Sequence, residues 1–354
     1  MSSAENDSDN VSWVPKATRF GRPLQGKIVK PILTSKCLPG ALYQEPAERE
    51  LFVYLPPGYE ESGERYPVVL MLPAFFGTHG SAAKYEAFKP NSFERLDAQI
   101  AAGECRPVIL VVPDAMTRFG GGQFVDSATS GLHQTHLAEE VIPFVDANFR
   151  TLAEAGGRGV VGRSSGGFGA LRLAMDRPGL VAAVASHAGD AHFEVSMKPM
   201  LTSAAVAYHA AGGVRAFAER MDEAGPKGSL DFDGLIVMAC SAAYAPNPSA
   251  GFPFCDLPFD AEGQIDGAGW KKWLENDPLV RIPRSASALR SLSTLFIDAG
   301  ESDEHGLQFA ARALHKALMA IDAPSNHEEH VGGHRGTAWR FDVSLPHVAG
   351  ALVR

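Results

Sequence analysis

The chain has 354 residues, 45% of them hydrophobic and 21% charged, a globular composition with enough apolar side chain for a sizeable core. Its net charge of −9, from 32 Lys and Arg against 41 Asp and Glu, excludes the basic footprint needed to bind nucleic acid or an anionic membrane surface. No run approaches the ~18 consecutive apolar residues of a spanning helix, and the polar, acidic start Met1-Ser2-Ser3-Ala4-Glu5-Asn6-Asp7 is unlike a secretion signal.

Residues 1–25 are rich in Ser, Asn, Asp and Lys and read as a mobile arm ahead of a domain over 26–354. Lys27–Thr34 and Glu50–Leu55 are short β-prone runs, the second closed by the turn signal Pro56-Pro57-Gly58-Tyr59. Tyr66–Leu72 and Pro107–Pro113 are unbroken apolar runs of the kind buried on both faces of a parallel sheet. Gly159–Gly162, Val181–Ser186 and Leu295–Asp298 are shorter instances. Helix-period stretches lie between them at Leu137–Phe149 and Leu307–Ile321. The alternation predicts an α/β fold with a doubly wound, mostly parallel sheet. From about 190 to 293 the alternation stops, over a length far beyond an ordinary connection. This segment holds a helical pattern (Ala204–Ala224), the run Leu235–Ala243, ambiguous by periodicity and read as helix from its Met, Ala and Cys content, and a Pro- and Phe-rich stretch around Phe252-Pro253-Phe254. It reads as an inserted cap over one end of the sheet.

The sharpest local signal is Gly162-Arg163-Ser164-Ser165-Gly166-Gly167, a G-x-S-x-G sequence with a strand leading in and a helix leading out. A serine on so tight a turn is strained, bulk at Gly162 or Gly166 would clash across it, and the helix N-terminus supplies N–H donors. Ser164 is therefore the candidate nucleophile, with Ser165 as a rival one place off the centre. A serine needs a base, usually a histidine oriented by a carboxylate. Asp298, Glu301, Asp303 and Glu304 compete for the acid, and Asp303 is favoured because it lies in the loop past a strand's C-terminal end. Among His305, His315, His327, His330, His334 and His347, the base expected is His334, in a loop after Gly332-Gly333, with His330 in reserve. An oxyanion needs two N–H donors. Ser165 offers one, and Phe75, in Pro73-Ala74-Phe75-Phe76-Gly77, is favoured for the other.

Phe52–Tyr59, Tyr66–Gly77, Gly162–Gly167 and Gly332-Gly333-His334 together resemble the putative-esterase family of α/β-hydrolases, over about residues 26–350. That family includes esterase D (S-formylglutathione hydrolase), enterochelin-esterase-like proteins, feruloyl esterase domains and the antigen 85 mycolyltransferases. The resemblance implies an α/β-hydrolase fold, a triad of Ser164, Asp303 and His334, and an oxyanion pair of Phe75 and Ser165. It also implies that Gln123–Ser127 and Gly131 line the cleft. Two departures are Pro73-Ala74, where many members have His-Gly, and the long segment over 190–293, unlike that of compact esterase D enzymes.

The expectation is a serine carboxylic-ester hydrolase working through an acyl-enzyme on a small-molecule ester. It has no metal or other cofactor and no nucleic-acid or membrane partner. An acyltransferase of the same fold and a non-catalytic binding module are the alternatives. Phe76, Gln123, Ser127, Phe252 and Phe254 are the expected substrate contacts, the last two as a wall held by prolines. His187, Asp190, His192 and Glu194 lack an H-E-x-x-H spacing and read as polar groups at the cleft edge rather than a metal site. Trp270 and Trp273 read as packing. Cys37, Cys105, Cys240 and Cys255 form no CxxC pair and read as free thiols of a reducing, cytoplasmic compartment. The oligomeric state is left open, a homo-oligomer included.

Overall fold

The apolar runs become the middle of a nine-stranded sheet because a strand with apolar residues on both faces must be covered on both. The structure, a computed structural model, describes residues 23–86 and 88–353; the expected arm lies outside these except for residues 23–25. In chain order the strands are β1 (Lys27–Val29), β2 (Ile32–Thr34), β3 (Glu48–Leu55), β4 (Val68–Leu72), β5 (Ile109–Pro113), β6 (Arg158–Arg163), β7 (Ala183–His187), β8 (Thr294–Gly300) and β9 (Asn326–His330). Their order is β1-β3-β5-β4-β6-β7-β8-β9, with β2 paired to β3. The neighbours from β5 through β4 and β6 to β9 are parallel, and β3 runs against β1, β2 and β5. The run Lys27–Thr34 is two strands, not one, because Lys30-Pro31 interrupts it.

The principal helices are α1 (Ser92–Ala101), α2 (Ile142–Asn148), α3 (Ser165–Asp176), α4 (Lys198–Ala211), α5 (Val214–Ala224), α6 (Ser229–Tyr244), α7 (Gly267–Leu274), α8 (Leu307–Met319) and α9 (Phe341–Ala351). Val68, Leu70 and Leu72 pack on one face with residues of α2, α3 and α8, while Val69 and Met71 pack on the other with α1 and α9. This is the period-2 alternation of a strand covered on both sides. Leu137–Phe149 is helical as expected, but its first part, His136–Val141, is π-helical.

The segment between β7 and β8 folds around a third apolar cluster drawn from α4–α7 together with Phe119 and Phe168 of the body. The expected helix Ala204–Ala224 is two helices, since Gly212 and Gly213 adopt φ of +88° and +116° and end α4. Leu235–Ala243 lies within α6. Trp270 and Trp273 are buried in this cluster. Among the described residues no helix is long and apolar enough to cross a membrane.

The C-terminal ends of β7 and β8 are tied to α9 through buried charge. His187 Nδ1 lies 2.8 Å from Asp298 Oδ1, His187 Nε2 lies 2.7 Å from Ser344 Oγ, and Arg340 Nε donates to Asp298 Oδ2. His187 is thus a core residue, correcting its reading as a cleft-edge group. Burial pushes the Asp298 carboxyl up, but His187 and Arg340 outweigh it and hold it below its ordinary value. A depressed folded pKa means that this stabilisation is complete above the ordinary aspartate range and is lost as pH falls below it. Removing one member of a buried ionic set leaves the others unpaired. Asp298→Ala is therefore expected to lower unfolding stability at pH 7 by about 3 kcal/mol in denaturant titration; a loss under about 1 kcal/mol would contradict the assignment.

Candidate active site

Ser164 stands between the end of β6 and the start of α3 with φ +56° and ψ −125°, a backbone conformation that side-chain-bearing residues seldom adopt. Both sides of the turn hold it there. Its N–H donates to His187 O at 2.8 Å and its carbonyl accepts from Phe168 N at 2.9 Å. A Cβ on Gly162 would lie 2.2 Å from Gly166 O, and one on Gly166 would lie 2.1 Å from Leu72 O. Only glycine permits this approach of turn to strand. Although Ser164 occupies the N-cap position, its hydroxyl caps nothing and points to His334.

His334 is fixed at four points. Its Nε2 lies 3.0 Å from Ser164 Oγ and its Nδ1 lies 2.9 Å from Asp303 Oδ2. Its N–H donates to Glu304 Oε2 at 2.8 Å, and its carbonyl accepts from Arg163 Nη1 at 2.9 Å. Asp303 lies in the turn after β8 with a fully buried side chain. Burial pushes its carboxyl up, but the His334 ring and the His305 N–H, which donates to Oδ1 at 2.9 Å, leave it below the ordinary aspartate value. Asp303 is therefore ionised at neutral pH. The rival acids are placed otherwise. Asp298 is bound into the core, Glu301 is exposed, and Glu304 serves the main chain of His334. The reserve base His330 ends β9 with its ring 5.3 Å from that of Trp339.

The loop after β4 turns tightly: Gly77 N donates to Ala74 O at 2.7 Å and Phe76 has φ +58°. The Phe75 and Ser165 N–H groups have no protein acceptor among the described residues. The Phe75 ring fills the space a Cβ on Gly120 would need, 2.4 Å from Phe75 Cζ. It also packs on Phe76 and Phe232, with centroids at 4.5 and 5.8 Å.

Ser164 and His334 open into a cavity of about 360 Å³ walled by Phe75, Phe76, Met197, Met200, Phe232 and Ile236, with Arg163, Ser165, Asp190, His305 and Arg335 as its other polar members. Of the expected contacts, Phe76 is in this wall. Phe252 and Phe254 are not: Phe252 packs on Phe119 of the body and on Phe254. Gln123 is wholly buried behind Ser165, and Ser127 donates to Ala242 O and pairs with Gly131 in a small hairpin. The side chains that sequence reading missed are Phe232, Ile236, Met197 and Met200, whose helical spacing gives no hint of a cavity. Asp190, expected as a polar group at the cleft edge, lines the cavity; it follows β7 at the C-terminal edge of the sheet, where such folds place their sites.

Comparison with known proteins bears on family and fold. The model of the family described as "Putative esterase" matches residues 45–347, and the chain belongs to that family. Esterase Rv1288 of Mycobacterium tuberculosis is 35% identical over 145 residues, 39% of this chain and 28% of that protein. The endo-1,4-beta-xylanase/feruloyl esterase of Xylanibacter ruminicola is 32% identical over 136 residues, 36% of this chain and 17% of that one. The matched stretch thus spans less than a third of either relative's length. Among solved structures, a ferulic acid esterase superposes with a TM-score of 0.61 at 18% identity, over 93% of this chain and 100% of that one. An S-formylglutathione hydrolase from Agrobacterium tumefaciens gives 0.58 at 16% identity, over 98% and 100%. The fold is the α/β-hydrolase fold.

The turn's dependence on glycine can be checked without any assay of activity. Gly166→Ala must displace the Leu72 carbonyl, and overpacking of this kind costs about 1–3 kcal/mol or more. A clear fall in denaturation midpoint is expected, and an unchanged midpoint would show that the turn is not packed as described.

Proposed function

We propose that the chain is a serine carboxylic-ester hydrolase that works through an acyl-enzyme, with Ser164 as nucleophile, His334 as base and then acid, and Asp303 as the carboxylate that orients it. The observation that carries this reading is the continuous set of contacts from Ser164 Oγ to His334 Nε2 (3.0 Å) and from His334 Nδ1 to Asp303 Oδ2 (2.9 Å), opening on a cavity. A second Ser–His–Asp set, Ser344–His187–Asp298, has similar spacings but is sealed in the core. Access, not spacing, separates the two.

In this mechanism His334 Nε2 takes the Ser164 proton as Oγ attacks the ester carbonyl. The ionised Asp303 keeps the proton on His334 Nδ1 and stabilises the imidazolium that forms. The negative charge on the carbonyl oxygen is met by the N–H groups of Phe75 and Ser165, the second at the positive end of α3. His334 returns its proton to the leaving alcohol, and water repeats the sequence to release the acid. The segment between β7 and β8 acts as the cap that closes the cavity. The free thiols of Cys37, Cys105, Cys240 and Cys255 fit a cytoplasmic place of work.

Ser164→Ala is expected to reduce kcat on p-nitrophenyl esters by up to about 10⁶-fold and to abolish fluorophosphonate labelling with little change in melting temperature. Asp303→Asn should lose about 10³–10⁴-fold, and Asp298→Asn far less per folded molecule. Retention of more than about a percent of activity in Ser164→Ala would move the nucleophile elsewhere. The cavity wall makes a separate forecast. Each buried CH₂ of an acyl chain is worth about 0.8 kcal/mol, so Phe232→Ala should shift the preferred p-nitrophenyl chain length, whereas Phe252→Ala should not. The opposite pattern would return the wall to Phe252 and Phe254.

A further inference from the structure

The cavity wall has one carboxylate set into it. Asp190 is 8% exposed and lies just past the end of β7. Its Oδ2 accepts from Ser165 Oγ at 3.3 Å; Oδ1 has no partner among the described residues, and no Lys or Arg side chain there pairs with the group. Behind it the Tyr244 hydroxyl donates to Gln123 Oε1 at 3.2 Å, and Gln123 Nε2 donates to Ser165 Oγ at 3.2 Å. The three donors point the same way and end on Asp190. Turning the Gln123 amide over would draw the Ser165 proton back and leave a buried carboxylate with no donor at all, so the direction of the file is set by its last member.

Oδ1 is open to the cavity rather than sealed in, so water or a substrate group must supply its hydrogen bond. Burial pushes the Asp190 pKa up to about 6, even though the His334 ring and the Ser165 hydroxyl pull it down. A plain hydrocarbon chain pressed against Oδ1 would remove its remaining water and return nothing. A substrate hydroxyl would replace that water. An ammonium group fits less well, because Arg163 and Arg335 line the same cavity and His334 becomes cationic during the reaction. The leaving oxygen takes its proton from His334, so the alcohol half belongs beside His334 and its exposed neighbour Arg335. The wall of Phe76, Met197, Met200, Phe232 and Ile236 is left for the acyl half, and Asp190 opens the segment that carries Met197 and Met200.

We infer that the cavity selects esters whose acyl half carries a hydroxyl group, with Asp190 Oδ1 as the acceptor. The inference rests on the esterase reading above. It is tested by comparing kcat/KM for methyl 2- and 3-hydroxybutyrate with that for methyl butyrate in the full chain. A hydrogen bond to a charged group discriminates by about ten- to a hundredfold, so at least one hydroxy ester should be preferred by about tenfold or more. Asp190→Leu should bring that ratio close to one whatever happens to the absolute rates, and Asp190→Asn, a neutral amide that can still pair with a hydroxyl through its oxygen or its NH2, should keep part of it. Should Asp190→Leu not fold, the wild-type and Asp190→Asn ratios decide. A wild-type ratio near one, or an equal loss on all three esters in Asp190→Leu, would overturn the assignment; the latter would mean that Asp190 acts through Ser165 or His334. A wild-type protein that hydrolyses methyl butyrate without preference sinks this inference alone. One that hydrolyses no ester and takes no fluorophosphonate at Ser164 sinks the esterase reading itself.

Discussion

Two close backbone contacts at the C-terminal edge of the sheet set everything else in the site. At Gly166 the turn after β6 presses on the end of β4, leaving a Cβ there only 2.1 Å from Leu72 O and 2.7 Å from Pro73 O. At Gly300 the end of β8 presses on the loop after β9, with Gly332 O and Gly333 O at 2.3 and 2.7 Å from a Cβ. The first contact fixes the distance between Ser164 and the Pro73–Gly77 loop. The second fixes the distance between Asp303 and His334. Parallel strands deliver all four loops to one edge, and glycine lets them meet there.

Charge then holds what the backbone brings together. The Asp298 set locks β7, β8 and α9 beneath the site without touching the cavity. Above it, His334 is gripped through its ring by Asp303 and through its main chain by Glu304 and Arg163. A side chain held at four points has little freedom left to lose, which is the condition for preorganisation if His334 is the base proposed above. The inserted segment contributes differently. Its apolar cluster is built on Phe119 and Phe168 of the body, and Asp190, Met197, Met200, Phe232 and Ile236 reach the cavity from it. In the proposed reading the strand ends supply reactivity and the inserted segment shapes what can be bound.

The parts legible in the sequence are those dictated by local patterns. Val68–Leu72 and Ile109–Pro113 are buried on both faces because they are apolar throughout, and Gly162–Gly167 turns as its glycines require. The structure brings Ser164, Asp303 and His334 into contact, the three residues picked out by motif and by loop position. Positions decided by packing between distant segments were not legible. Phe252 and Phe254, drawn to attention by their prolines, pack away from the cavity, while Phe232 reaches it from a helix whose sequence reads as core. His187 has the composition of a cleft residue, yet Asp298 and Ser344, more than 100 residues away in the chain, take it into the interior. Asp190 gains its character from Tyr244, Gln123 and Ser165, a file that no local spacing discloses.

The central claim is that an acyl group passes through Ser164 Oγ. Quenching the protein in acid during turnover of a p-nitrophenyl ester, followed by mass spectrometry of its peptides, reads this directly. The account predicts a mass increase equal to the acyl group on the peptide that contains Ser164, localised to that residue and absent in Ser164→Ala. Turnover with no acylated peptide, or an acyl group on Ser165 or any other side chain, would contradict it.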